Sequence, residues 1–317
     1  MSIALAMIIV AAVGCASSSP TADLTPSAVM EQHPSADAVP SPGSGTSAPA
    51  VADETPHSSV SGEATQPPTT GLCLTGSEAE KFLQTAEIVE IDTYDSKGIT
   101  NPRRATLSDG QRICRAQFKE VEKTHDREQL TTGKWVLNLK DSYKHEIAAW
   151  KLDQLLGLGL VPPCVERSIG THIGSLCMWV EGAMTEYERA RVKHLMPPDV
   201  QAYNDQMHDI KMFLQLTWDT DYNNTSNILI DGNWKLYKID SSRAFRTDPK
   251  LRHQESLTRF RRSSLDALRS LERTDLERAL GPWLDRKQID GLWKRRAGIL
   301  QHADSLITLR GEAAVLY

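Results

Sequence analysis

The chain has 317 residues, of which 40% are hydrophobic and 24% charged, and its formal net charge is −5. This acidic balance argues against general nucleic-acid binding, which relies on clustered Lys and Arg. The length is sufficient for one sizeable domain, built as two lobes, once an atypical N-terminal portion is set aside. The first Lys or Arg of the chain is Lys81, so the N-terminal portion carries neither residue.

The first fifteen residues have the features of an export signal. The apolar run from Ile3 to Val13 is too short to span a bilayer as a helix and suits the core of a signal peptide. It ends in A-V-G-C at Cys15, which resembles a bacterial lipobox. The resemblance implies a lipoprotein signal peptide over 1–15, lipid attachment at Cys15 and anchoring to a membrane of the bacterial cell envelope. The alternative for this run is a buried apolar strand or helix.

Residues 16–70 are rich in Ser, Ala, Pro, Thr and Gly, and they contain no Phe, Trp or Tyr and no Lys or Arg. A segment of this composition cannot bury enough apolar surface to offset the entropy lost on ordering. It is therefore predicted to be a disordered tether, with the folded domain over 71–317.

The domain begins with a predicted helix and three predicted antiparallel strands. The helix starts at Ser77, where Ser77 and Glu80 have the spacing of a capping box. The strands are expected over 87–94, 104–107 and 112–119 because their residues alternate or are β-branched. The loop over 95–102 contains Gly98, which could lie against phosphate groups; an ordinary hairpin loop explains it equally well.

Two lysines compete for a phosphate-binding role. Lys119 ends the third predicted strand, and Lys140 follows a similar apolar run. Either could bind phosphate as a point charge. Glu146 lies in the first turn of a helix predicted over 143–157, where a carboxylate either favours the helix dipole or holds such a lysine. The local pattern favours the dipole.

The stretch from Trp218 to Phe245 carries the strongest chemical signal. Asp221 leads into a polar loop that ends at Asn227, and a short hairpin then delivers Asp240. Phosphoryl transfer needs this set: one carboxylate to orient the attacking hydroxyl, and oxygen ligands to hold Mg²⁺ on the phosphates. Rivals for these roles on the same loop are Asp219, Asn223 and Asn224.

The remaining pattern predicts strands over 165–182, an amphipathic helix over 199–217 and a largely helical chain after Phe245. Besides Cys15, four cysteines are present: Cys73, Cys114, Cys164 and Cys177. Their spacing gives no zinc motif, and they form either one or two disulfides or buried thiols, with no pairing indicated. The predicted class is α+β, with a small antiparallel β N-lobe and a mainly helical C-lobe.

The order of four segments resembles the secretory-pathway casein kinase and xylosylkinase family, and also the wider HipA-like and phosphatidylinositol-kinase-like atypical kinases. The segments are R-A-Q-F-K over 115–119, H-E-I-A-A-W-K-L-D-Q-L-L-G-L-G-L-V-P-P over 145–163, D-I-K-M-F-L-Q-L-T-W-D-T-D-Y-N over 209–223, and Y-K-I-D-S-S-R-A-F over 237–245. One departure is that the family's D-R-H is here Asp221-Tyr222-Asn223.

The resemblance implies a bilobal protein-kinase-like fold and a role for each matching residue. Lys119, rather than Lys140, would bind ATP phosphates, and Glu146 would hold it. Asp221 would orient the acceptor hydroxyl, and Asp240 would bind the metal with Asn227.

The function expected on these grounds is an exported, lipid-anchored, ATP-dependent phosphotransferase acting on a hydroxyl of a protein, sugar or lipid. It would be assisted by Mg²⁺, with Mn²⁺ as an alternative. The departures from the family pattern leave a second hypothesis, a catalytically weak or inactive pseudokinase that serves as a binding module of the envelope.

Overall fold

The computed structural model describes residues 65–93, 102–129, 133 and 135–317. Cys15 and Gly98 lie outside the described residues, as does most of the predicted tether. Within the described part of the chain, no helix is both long and apolar enough to cross a membrane.

The N-lobe is built on a five-stranded antiparallel sheet. After a short strand β1 (Gly71–Leu72) and helix α1 (Gly76–Thr85), three strands follow along the chain: β2 (Glu87–Thr93), β3 (Arg103–Ser108) and β4 (Ile113–Lys119). Alternate residues of β3 and β4 are buried, as expected for a sheet with one face on a core. The three predicted strands are therefore confirmed, with β4 at the centre of the sheet.

A hairpin that the sequence did not predict follows β4. It consists of β5 (Glu122–Gln129) and β6 (Trp135–Ser142), which form a separate two-stranded sheet. Helix α2 (Tyr143–Leu156) comes next and ends at Gly157, whose φ of 61° suits glycine. Strands β7 (Cys164–Ile169) and β8 (His172–Met178) then complete the large sheet in the order β2-β3-β4-β8-β7.

A connector leads from the N-lobe to the C-lobe. It contains β9 (Val180–Glu181), β10 (Met184–Thr185) and a π-helical turn (Glu188–Val192), and it enters the long helix α3 (Val200–Thr217). A small antiparallel sheet then forms in the order β10-β11-β12, with β11 at Ile228–Ile230 and β12 at Leu236–Lys238. This sheet presents the predicted catalytic loop.

The rest of the C-lobe is helical, as predicted. Its helices are α4 (Arg262–Ser270), α5 (Arg273–Leu280), α6 (Arg286–Arg310) and α7 (Glu312–Val315). Their buried residues join those of α2 and α3 in one large hydrophobic core, while the N-lobe sheet and α1 enclose a second, smaller core. The predicted bilobal α+β architecture is confirmed.

Residues 65–74, which we call the N-terminal strap, contact both lobes. Thr65 exchanges backbone hydrogen bonds with Gln111 and Ile113 of the N-lobe. Strand β1 pairs with the connector strand β9, and Thr70 Oγ1 accepts a hydrogen bond of 2.6 Å from the Gly232 N–H of the C-lobe. The folded domain thus includes residues 65–70, which the sequence had assigned to the tether.

Two local expectations are settled by the contacts. The predicted capping box of Ser77 and Glu80 is wrong, because α1 begins one residue earlier and its N-cap, Thr75, makes no side-chain cap hydrogen bond. All four cysteines of the domain form disulfides, and the pairs are Cys73–Cys114 and Cys164–Cys177.

Candidate active site

Lys119, Glu146 and Asp240 meet at the junction of the lobes. Lys119 ends β4, Glu146 lies in the first turn of α2, and Asp240 follows β12. Lys119 Nζ lies 2.8 Å from Glu146 Oε1 and 2.9 Å from Asp240 Oδ1. Burial alone would lower the pKa of Lys119, but the negative charges of Asp240 and Glu146 outweigh burial and raise that pKa above its ordinary value. Lys119 is therefore a cation held between two carboxylates.

The second oxygen of Glu146 fixes the segment after Asp240. Glu146 Oε2 accepts a hydrogen bond of 3.0 Å from the backbone N–H of Ser241. One carboxylate thus ties together the strand of Lys119, the helix α2 and the loop of Asp240. The dipole interpretation of Glu146 accounts for neither contact, so the lysine-holding interpretation fits the structure better.

Asp240 is held in a sparsely populated backbone conformation. Its φ is 56°, and four of the five described non-glycine residues with positive φ lie between 218 and 245. Such strain concentrates at functional sites. Burial disfavours the charged form of Asp240, but the charge and hydrogen bond of Lys119 outweigh it and hold the pKa of Asp240 below its ordinary value. Its side chain is 40% exposed, so an anionic oxygen remains accessible.

Asp221 has a different electrostatic environment. Burial, followed by the negative charges of Asp219 and Asp240, raises the pKa of Asp221 to about 6. Its backbone N–H donates to Asp219 Oδ1 at 2.9 Å. Among the described residues, none hydrogen-bonds the Asp221 carboxylate itself. Asp221 therefore combines a raised pKa with free oxygens, which is the condition of a candidate general base.

Asn227, the candidate second metal ligand, lies close in space to the segment that leads into Asp240. It ends a 3₁₀ turn (Thr225–Asn227), and its backbone carbonyl accepts a hydrogen bond of 3.0 Å from Ile239, the residue before Asp240. Its side chain is buried, and its amide nitrogen has no hydrogen-bond partner among the described residues. A buried unpaired amide calls for an explanation, and an ion or ligand bound at this loop would provide one.

The rival asparagines have other positions. Asn224 Oδ1 caps the 3₁₀ turn by accepting from the Ser226 N–H at 3.1 Å, and Asn223 is exposed. The described residues contain no cluster of three or more His, Cys, Asp or Glu side chains suited to a metal. The partly exposed carboxylate of Asp240 is the kind of oxygen donor that Mg²⁺ takes, since this ion binds one or two protein oxygens and completes its shell with phosphate and water; Asn227 stays a candidate second ligand.

A buried ion pair that the sequence did not indicate supports the loop. Lys238 Nζ lies 2.9 Å from Asp219 Oδ2, and both side chains are almost fully buried. The same ammonium donates to the backbone carbonyl of Asp240 at 3.0 Å. Asp219 was the alternative to Asp221 for the role of orienting the acceptor hydroxyl. Its carboxylate instead pairs with Lys238 and accepts a hydrogen bond from the Asp221 N–H.

A cavity of about 280 Å³ opens beside these residues, between the two lobes. Its wall is mostly apolar and includes residues of the connector and of the ionic cluster. Lining residues include Val161, Met178, Val180, Ala183, Leu229 and Ile239, together with Glu146, Lys238 and Asp240. An apolar slot that ends in charged groups suits a flat heterocycle bearing phosphates.

Lys140 does not join this cluster. It lies on β6 and pairs with Asp285 at the start of α6, at 2.6 Å, where both side chains are about half exposed. The structure thus brings together Lys119, Glu146, Asp240, Asp221 and Asn227. Gly98 and Cys15 stay predictions because neither is described.

Comparisons with known proteins show the fold. No protein-family model matches the chain, and no curated protein matches it. Among solved structures, hydra Fam20 with sugar is similar with a TM-score of 0.54 and 16% identity, over 75% of this chain and 90% of that one. The Golgi casein kinase is similar with a TM-score of 0.52 and 16% identity, over 78% of this chain and 80% of that one. The chain therefore has the Fam20-like atypical kinase fold that its sequence predicted.

Proposed function

We propose that the protein is an ATP-dependent phosphotransferase that acts on a hydroxyl group. The observation that carries the proposal is the position of Lys119, which lies between Glu146 and Asp240, two carboxylates that line a mostly apolar cavity. Two carboxylates, one from α2 and one from the loop after β12, share this lysine, and this arrangement suits a site that rearranges when phosphate enters. The kinase-like fold of the chain supports the same conclusion.

Each residue would have a separate task in this reaction. The cavity would hold the adenine ring of ATP between apolar side chains of the two lobes. Lys119, positioned by Glu146, would neutralise phosphate charge, and Asp221 would orient the acceptor hydroxyl and take its proton. Asp240 and Asn227 would hold Mg²⁺, which when bound would stabilise negative charge on the phosphates. Most of the rate enhancement would come from this positioning and from electrostatics.

The experiment is Mg²⁺-dependent nucleotide binding by the purified chain and by Asp240→Ala. Because Asp240 would hold the Mg²⁺ that accompanies the nucleotide, we expect the variant to lose the Mg²⁺-dependent part of its ATP affinity, measured by calorimetry with and without Mg²⁺. The matched control is Asp126→Ala, which removes an exposed carboxylate of β5 and should bind as the parent does. Equal Mg²⁺ dependence in Asp240→Ala and the parent would remove the metal assignment.

We also propose that the protein is exported and held at the cell envelope through lipid on Cys15. The two disulfides of the domain support this, because disulfides persist in oxidising compartments outside the cytoplasm. Mass spectrometry of the mature N-terminus tests the proposal. An acylated Cys15 is the expected result, and a mature chain that still begins at Met1 contradicts it.

A further inference from the structure

The Cys164–Cys177 disulfide forms part of the wall of the cavity between the lobes. Cys164 begins β7 and lies opposite Cys177 of β8 in the antiparallel register. Cys164 is fully buried, whereas Cys177 is only partly buried and lines the cavity. The other disulfide, Cys73–Cys114, also joins one partly buried and one fully buried cysteine, but neither of these two lines the cavity. The two bonds are thus alike in burial and differ in their relation to the cavity.

The bond joins two segments that both contribute to the cavity wall. The segment ahead of β7 contributes Val161 and Pro162, and the end of β8 contributes Met178. A hydrogen bond of 2.8 Å from the Met178 N–H to the Pro163 carbonyl connects the same two segments. These side chains are among those that would enclose the adenine ring. The disulfide therefore fixes the spacing of one part of the apolar slot.

Stabilisation of the fold does not distinguish this disulfide. A disulfide constrains the unfolded chain more when it closes a longer loop. Cys164 and Cys177 are 13 residues apart in the sequence, whereas Cys73 and Cys114 are 41 apart. Cys164–Cys177 also joins two strands that already pair along their length. Its effect on the unfolded chain is thus the smaller of the two, and its distinctive property is its position in the cavity wall.

Cleavage of the bond would change the shape of the cavity. Two non-bonded sulfur atoms stand farther apart than two bonded ones, so the cysteines must separate when the bond is cut. Cys164 has no exposed surface, and close-packed neighbours oppose its displacement. Cys177 borders the free space of the cavity. The Cys177 thiol would therefore move towards the cavity and compete with the adenine ring for the same space.

We propose that the Cys164–Cys177 disulfide is a positioning element of the nucleotide site, and that its cleavage by a dithiol weakens nucleotide binding. A thiolate of the dithiol attacks one sulfur, and its second thiol resolves the mixed disulfide. The dithiol is oxidised to a disulfide, and its two electrons and two protons leave Cys164 and Cys177 as thiols. The inference rests on the proposed nucleotide binding in this cavity. Because linked equilibria change each other by the same factor, bound nucleotide should also make the bond harder to reduce.

The first test is reduction of the full native chain in buffers of reduced and oxidised dithiothreitol, with and without saturating Mg²⁺-ATP. Free thiols are alkylated and located by mass spectrometry. We expect ATP to lower the equilibrium constant for reducing Cys164–Cys177 about tenfold, as for a reduced form in which the open slot is about one-tenth populated. The matched control is Cys73–Cys114 in the same sample, whose reduction should not respond to ATP.

Calorimetry with Mg²⁺-ATP gives the reciprocal measurement. The double variant Cys164→Ser with Cys177→Ser should bind about tenfold more weakly than the parent, whereas Cys73→Ser with Cys114→Ser should bind as the parent does. All proteins are compared below their thermal unfolding midpoints. Equal affinity of the parent and the first variant, or equal protection of both disulfides by ATP, overturns the inference and leaves nucleotide binding in place. A parent that binds no nucleotide contradicts the proposed function itself, and this inference with it.

Discussion

Asp221→Asn is expected to abolish most phosphoryl transfer while leaving nucleotide binding intact. Asn keeps the size of Asp but cannot accept a proton, and a positioned general base typically contributes about 10²–10⁴-fold to the rate. The carboxylate has no hydrogen-bond partner among the described residues, so its replacement should disturb little structure. The measurement is Mg²⁺-ATP turnover, with water or the protein itself as acceptor, alongside calorimetric ATP binding.

The same carboxylate predicts the pH dependence of the wild type. Burial and the charges of Asp219 and Asp240 raise the pKa of Asp221 to about 6. The base must be deprotonated, so kcat/KM should be level above this pH and fall about tenfold for each pH unit below it. Asp219→Asn removes one of the negative charges, and the midpoint should therefore move to lower pH.

Two outcomes would contradict the assignment of the base. Asp221→Asn with the turnover of the wild type would show that another group accepts the proton. A wild type that binds Mg²⁺-ATP but turns over neither ATP nor other nucleotides would instead favour the pseudokinase hypothesis.

Lys238→Met is expected to destabilise the domain by about 3–5 kcal/mol, because it leaves the buried charge of Asp219 without its partner. The free energy of unfolding can be measured by denaturant titration. Lys140→Met is the matched control, since it breaks a half-exposed ion pair with Asp285 and should cost less than about 1 kcal/mol.

A double variant separates the ion pair from other effects of Lys238. Asp219→Asn removes the buried charge but keeps an oxygen for the Asp221 N–H. Combined with Lys238→Met, it should restore part of the lost stability. If the losses of the two single variants simply add, the pair is not coupled and the buried-charge explanation is wrong.

The candidate site cluster was predictable because its members belong to sequence motifs that follow one another in a recognisable order. Asp221 and Asp240 flank a short hairpin, and a hairpin returns its two ends to the same place. Lys119 and Lys140 were harder to separate, since both end apolar runs. The choice depends on the pairing of β4 inside the large sheet, which is a contact between residues far apart in sequence.

Other features left no usable pattern in the sequence. Strand β5 reads E-K-T-H-D-R-E-Q, which lacks the apolar alternation of a half-buried strand, and its structure comes from pairing with β6. Lys238 sits in a short strand where a lysine is normally solvated, and its burial depends on Asp219 from another loop. The four cysteines allowed three connectivities, and only the fold brings each pair together.

The N-terminal strap has a mechanical consequence. A pull on the chain ahead of Thr65 would first break the backbone bonds of Thr65 and then unzip β1 from β9. Unzipping would stop at Cys73, because its bond to Cys114 is covalent and anchors the chain to the middle of the N-lobe. Tension would therefore reach the connector between the lobes before it reached either core. The segment that can be pulled out of the domain would end at Cys73.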